Sequence, residues 1–93
     1  MAASLTVKLL AEFLGSFLLM VSVLASGGNA LVIGSTLALI VFLIGGLSGA
    51  AVNPAIAFGL WYKGVLSQSY AIAYTVVEVL GALAAVYAYR VVA

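Results

Sequence analysis

A chain of 93 residues, 68% hydrophobic and 5% charged with a mean hydropathy of +1.42, is not a water-soluble domain, which covers its surface with roughly a quarter charged residues. The net charge of +1 offers no basic face for nucleic acid, and the absence of cysteine and histidine removes disulfides, thiolate metal sites and the commonest catalytic bases. With Glu12 and Glu78 as its only carboxylates, far apart in sequence, the composition points away from an enzyme, a metal site or a bound cofactor and toward a membrane protein.

Leu5 to Ala25 supplies about the 20 apolar residues that a spanning helix needs. Lys8 followed by an apolar run superficially fits a cleaved signal peptide. Glu12 breaks that run where an h-region tolerates charge poorly, so a retained first helix over about 5–25 is expected. "SGGN", Ser26 to Asn29, carries the two glycines of a tight reversal. Ala30 to about Leu47 is a second run, just long enough to cross. Tyr70 to Val92 forms the core of a third, expected over about 68–92 and ending near Arg90. Trp61, Tyr62, Tyr70, Tyr87 and Tyr89 gather near the proposed ends, as interfacial aromatics do. Gly15, the Gly45/Gly49 pair and the Gly81/Ala85 pair sit where small residues let helices approach closely in lipid.

Between the second and third runs lies "GGLSGAAVNPAIAFGLWYKG", residues 45–64, with the chain's one proline. Asn53 is a favoured N-cap and Pro54 suits the first helical position, where its missing N–H costs nothing. From Pro54 the run is compatible with a helix until Lys63, favourable at a negative helix end, and Gly64, a natural residue just past it. About nine residues at 1.5 Å each give roughly 13 Å, under half of a hydrocarbon core about 30 Å thick. The glycine-rich approach, small enough to suit an extended descent, and the short apolar helix together predict a re-entrant loop and half-helix over about 48–62. A proline-kinked continuation of the second helix is the alternative. Irregular backbone at membrane depth survives only buried in protein or lining a water-filled cavity. The carbonyls of Ser48, Gly49, Ala50, Ala51 and Val52 are therefore candidate pore-lining acceptors.

At these residues the sequence resembles the aquaporin and glycerol-facilitator family, the major intrinsic proteins. "SGAAVNPA" (Ser48 to Ala55) is similar to the family's signature loop, and "AEFLGSF" (Ala11 to Phe17) to its first-helix motif. "YTVVEVLGALAA" (Tyr74 to Ala85) is similar to its third helix, with Glu78 where glutamine is usual. The family has six spanning helices and two such loops in an inverted repeat. This chain resembles one repeat, the first half. The fold class expected is thus an all-α membrane protein, residues 1–93 forming a single aquaporin-like half repeat of three transmembrane helices plus a re-entrant half-helix. Two antiparallel copies are expected to rebuild the six-helix fold.

The resemblance implies a passive channel for water or small neutral solutes such as glycerol, formed between two oppositely oriented chains. Lys8 and Lys63 fall on one face and Arg90 on the other, a slight Lys/Arg bias that permits both insertions. Family members form tetramers of pores, which implies four such dimers, eight chains. The pore motif maps onto Asn53, Pro54 and Ala55, with the Asn53 amide donating into the lumen. The constriction carries over to Ile33, Val41, Ala50 and Ile56. All four are aliphatic, lacking the family's usual arginine and donors, so strict water specificity is not expected. Glu12 is expected to accept hydrogen bonds from amides of the loop, and Glu78 to support the loop likewise. Snorkelling to the interface is the alternative for Glu12. Two other readings stand beside the channel. One is a small dual-topology, proton-coupled transporter using Glu12 and Glu78; the other is a non-conducting piece of an aquaporin. The partners expected are membrane lipid, further copies of the chain and the solute, with no nucleic acid, cofactor or metal.

Overall fold

The computed structural model describes residues 3–93. Four helices follow one another: α1 (Leu5–Ser26), α2 (Ala30–Ser48), α3 (Pro54–Lys63) and α4 (Gln68–Val92). Each start is fixed by a side-chain oxygen that takes an orphan amide of the first turn. Ser4 accepts from the Val7 amide, Asn29 from Val32, Asn53 from Ala55 and Ser67 from Tyr70. The first three helices stop at glycines in the left-handed region, Gly27 at φ 64°, Gly49 at φ 86° and Gly64 at φ 90°, where a side chain is disfavoured. Beyond α3 the Gly64 amide bonds the Trp61 carbonyl and the Val65 amide the Leu60 carbonyl, closing the helix end.

α1, α2 and α4 are each long and apolar enough to cross a membrane. The 10-residue α3 rises only about 15 Å. An all-helical chain with three candidate spans and one short helix is therefore what the structure contains, with α1, α2 and α3 each ending one residue beyond the limits expected from sequence, at Ser26, Ser48 and Lys63.

α1 is the centre of the packing. It contacts both α2 and α4, which do not contact each other, and α3 lies on α4. Two small residues allow these approaches. A Cβ on Gly81 of α4 would stand 2.5 Å from the Phe13 carbonyl oxygen of α1, so backbone meets backbone there. A Cβ on Gly15 would meet Val52 Cγ1 at 2.6 Å and the α2 side chains Ile44 and Ile40 at 3.0 and 3.2 Å. α2 is held on one narrow stripe: Ile40 is its only fully buried residue, while Leu31 and Phe42 are among the most exposed side chains of the chain.

Lys8 Nζ lies 5.3 Å from the centre of the Tyr70 ring, so the starts of α1 and α4 stand at the same end of the bundle. α3 lies against α4 at that end. Its Ala57 is wholly buried with Ala51 and Tyr74, and Leu9, Leu60, Leu66 and Tyr70 pack around them.

Candidate functional site

The chain between α2 and α3, residues 49–53, is a bent loop rather than an extended one. Ala50 and Val52 have positive φ, 50° and 42°, on either side of Ala51. Left-handed backbone is uncommon for any residue with a Cβ and strained for a β-branched one; each costs about 1–3 kcal/mol. Such geometry persists only where the surroundings over-determine it.

Glu12 supplies that determination. It sits in the first half of α1, fully buried. Its Oε1 accepts the Val52 amide at 2.8 Å, and its Oε2 accepts the Ala51 amide at 3.2 Å and the Ser48 hydroxyl at 2.6 Å. The Ser48 Oγ in turn accepts the Ala50 amide at 3.2 Å. Amides 50, 51 and 52 thus all turn toward one carboxyl, directly or through one hydroxyl. Two consecutive N–H groups aimed at one anion form the concavity called a nest, and the positive φ values produce it. From α4 the Tyr74 hydroxyl donates to the Ser48 carbonyl at 2.7 Å. That carbonyl ends α2 and has no acceptor role inside its own helix.

Beyond the loop, Asn53 opens α3. Its Oδ1 accepts the Ala55 amide at 2.8 Å, which leaves the side-chain NH2 to donate elsewhere. The start of the half-helix is at mid-height of the bundle. Ser16, the middle of α1, and Glu78, toward the middle of α4, line the same cavity as Asn53 and Pro54. This cavity has a volume of about 260 Å³ and is otherwise walled by apolar side chains. It continues the α1–α4 groove on the far side of the point where α3 begins. Glu78 is buried there, beside Glu12 and the Asn53 backbone, yet neither of its oxygens reaches hydrogen-bond geometry with any described residue. The Ser16 hydroxyl is buried and unpaired as well.

With the loop, the capped half-helix and the flanking helices in place, comparison with known proteins decides the family. The model of the major intrinsic proteins matches residues 2–93. The chain belongs to the major intrinsic protein family. It is accordingly an integral membrane protein and not an enzyme. A curated relative, the Aquaporin Z of Brucella melitensis biotype 1, is 38% identical over 92 residues, a match covering 84% of this chain and 40% of the relative. The chain therefore spans less than half the length of that protein. No solved structure matches significantly.

Within this major intrinsic protein the other residues singled out from the sequence fall as follows. Asn53, Ala55 and Ile56 are exposed at the start of α3, and Pro54 is half-buried. Ala50, Ala51 and Val52 are buried in the loop, while Gly49 is exposed. Ser48 lies in α2, and its carbonyl is engaged by Tyr74 rather than free. Ile33 and Val41 sit on α2, half-buried and exposed respectively; the structure does not bring them to Asn53, since α2 and α3 make no contact. Among the described residues no cluster of potential metal ligands exists. Sequence reasoning passed over Tyr74 and Ser16 as site residues. Their signal was present in the spacing: Tyr74 and Glu78, like Glu12 and Ser16, are four apart and so share one helix face.

Proposed function

We propose that the chain is one half of a passive channel for water or small neutral solutes such as glycerol, completed by a second copy inserted upside down. The observation that carries this reading is the position of Asn53. A helix that begins at mid-height, beside Ser16 and Glu78, directs its positive end, worth roughly half an elementary charge, into the bundle instead of toward the surface. An inverted copy brings a second such end to the same level. Two Asn53 amides then donate to a passing oxygen lone pair, and the two positive ends disfavour cations, as opposed half-helices do in neutral-solute pores.

Both orientations are compatible with the charge distribution. Lys8 and Lys63 belong to one end and Arg90 to the other, a difference too small to force one topology. Four such pairs would form an eight-chain assembly. Ile33, Val41, Ala50 and Ile56 form the aliphatic constriction of this pore, which passes small neutral solutes with little discrimination.

The test is stopped-flow water and glycerol permeability of vesicles containing the purified chain. Replacing Asn53 with leucine removes the central donor and is expected to abolish flux while leaving insertion unchanged. Equal flux in the two preparations refutes the role of Asn53, and a failure of the parent chain to conduct refutes the channel. A proton-coupled transporter is the second reading, favoured by the unpaired Glu78 carboxyl. Uptake that follows an imposed pH gradient would select it.

A further inference from the structure

The three cations of the chain keep to the ends of helices. Lys8 Nζ lies over the Tyr70 ring, Lys63 is in the last turn of α3 and Arg90 in the last turn of α4. Its two anions do the opposite. Glu12 and Glu78 are 0% and 2% exposed and stand beside each other, one on α1 and one on α4. Two ionised carboxylates in contact, out of water and with no cation between them, repel each other and forfeit their hydration. One of the pair is therefore neutral.

The bonds around them say which. Glu12 takes three donors on its two oxygens, the Ala51 and Val52 amides and the Ser48 hydroxyl. That is the pattern of an ionised carboxylate, which only accepts. Glu78 takes none: no described donor bonds its Oε1 or Oε2, and the buried Ser16 hydroxyl that lines the same cavity is itself unpaired. As a carboxylate Glu78 has nothing to accept. As a carboxylic acid it brings its own donor, and the neighbouring carboxylate is the acceptor. An ionised carboxylate has about four lone-pair sites, so Glu12 still has room for one O–H beside the three bonds it makes.

No other titratable group competes for this place. α2 and the loop carry none, α1 has only Lys8 besides Glu12, and α3 has only Tyr62 and Lys63 in its last turn. On α4 the nearest is Tyr74, one turn from Glu78, whose hydroxyl is engaged with the Ser48 carbonyl.

We propose that Glu78 holds a proton and donates it to Glu12, and that this carboxyl–carboxylate bond is a pH-sensitive catch on the loop that leads into Asn53. Bonds of this charge-assisted kind are among the stronger ones. The loop is then held from two sides, its amides by the α1 carboxylate and that carboxylate in turn by α4. Glu78 is a positioning residue: it lies beside the Asn53 backbone and acts on amides 51 and 52 through Glu12. The catch exists only while the proton is present. Below the pH at which Glu78 ionises, the loop is fastened. Above it, two like charges face each other in a low dielectric, and the loop loosens. All of this belongs to one chain, so it goes beyond the channel reading and does not depend on it.

The test uses the full-length chain in lipid vesicles. Infrared spectra in ordinary and heavy water read the carbonyl stretch of a protonated carboxylic acid directly. The band is expected in the parent at neutral pH, should vanish as the pH is raised, and should be missing from Glu78→Gln. Its absence from the parent at neutral pH overturns the proposal. So does its survival in Glu78→Gln, which would put the proton on Glu12. Hydrogen exchange at Ala51 and Val52 reads the catch itself, and comparing variants at the same pH cancels the intrinsic rate. Glutamine keeps a donor and does not titrate, so Glu78→Gln should match the parent at neutral pH. Once the band has gone, the parent should exchange about tenfold or more faster than Glu78→Gln. Glu78→Leu, which has no donor, should be the faster one already at neutral pH, and equal exchange in all three at every pH refutes the catch. Should Glu78→Leu fail to fold by circular dichroism, the other two decide alone, since parallel pH profiles overturn the catch. Water flux on the same vesicles separates the two ideas. Band and pH profile without flux support the catch and count against the channel; flux without them refutes the catch alone.

Discussion

Replacing Glu12 with alanine tests the architecture of the site at its root. The side chain accepts the Ala51 and Val52 amides and the Ser48 hydroxyl. The hydroxyl rotates to another acceptor, but the two amides are backbone groups held in place, and each left buried without a partner costs about 1–3 kcal/mol. The same bonds hold Ala50 and Val52 at φ 50° and 42°, geometry that stores about 1–3 kcal/mol per residue. Removing the carboxyl therefore raises the energy of the bent loop while leaving its strain ready to be released, and both terms drive it to rearrange. The three spans bury their faces elsewhere, so helicity and insertion are expected to survive. Hydrogen exchange at Ala51, Val52 and Asn53 reads the change directly. A loss of about 2 kcal/mol accelerates opening about thirtyfold. Glu12→Gln retains one oxygen and so one of the two amides, and is expected to fall between the parent and the alanine variant. On the proposed channel reading flux should drop with the loop, since Asn53 follows Val52 directly. Unaltered protection of these amides in Glu12→Ala would refute the claim that the carboxyl shapes the loop.

Three further outcomes follow from particular contacts. Gly81→Ala places a methyl group 2.5 Å from the Phe13 carbonyl oxygen, which forces α1 and α4 apart at an expected cost of about 1–3 kcal/mol, read as a lower melting temperature in detergent. Tyr74→Phe deletes the 2.7 Å bond to the Ser48 carbonyl and should cost about 0.5–1.5 kcal/mol, with faster exchange at the end of α2 and little change in α1. Replacing both Lys8 and Lys63 with alanine leaves Arg90 as the only basic residue. Terminal-tag accessibility should then show a single orientation, and the proposed antiparallel pore predicts that flux is lost with it.

The helices were legible because their signals are local. Asn53 reads as a cap and Gly64 as a stop from sequence chemistry, and Ser26 to Asn29 as a reversal; Ser4, Asn29 and Ser67 cap, and Gly27 and Gly49 stop, by the same local chemistry. The short helix was legible for the same reason, since Asn53-Pro54 and Lys63-Gly64 bracket a stretch too short to cross. The shape of the loop was less so. The sequence suggested an extended descent, and the structure has Ala50 and Val52 in the left-handed region. No local preference of alanine or valine predicts that conformation; it is imposed by Glu12, 39 and 40 residues away from the amides it binds. The Tyr74 bond to the end of α2 spans 26 residues and was hidden for the same reason. The packing of α2, held by Ile40 and otherwise exposed, has no sequence signature at all, because its faces are nearly equally apolar.

The loop also explains why a short helix stays at mid-height without a partner strand or a covalent tie. α3 buries Ala57 and Leu60 against Tyr74 and Leu9, a modest apolar contact that leaves sliding along the groove open. Sliding is blocked at its start, where backbone amides 51 and 52 are bonded to a side chain rooted in α1. Gly15, one turn along from Glu12, has Val52 against it so closely that any side chain there would displace the loop. Glu12 thus pulls the loop in and Gly15 makes the space it is pulled into, and the two are three residues apart on one face of α1. A Gly15→Leu variant should therefore resemble Glu12→Ala in loop exchange and in flux, although it removes no hydrogen bond. Combining the two should cost less than the two single effects added together, because both act through the position of Val52, and residues sharing a partner couple in that way. Strict additivity would mean that the carboxyl and the glycine act on different parts of the molecule, and that the height of Asn53 is set by something other than this pair.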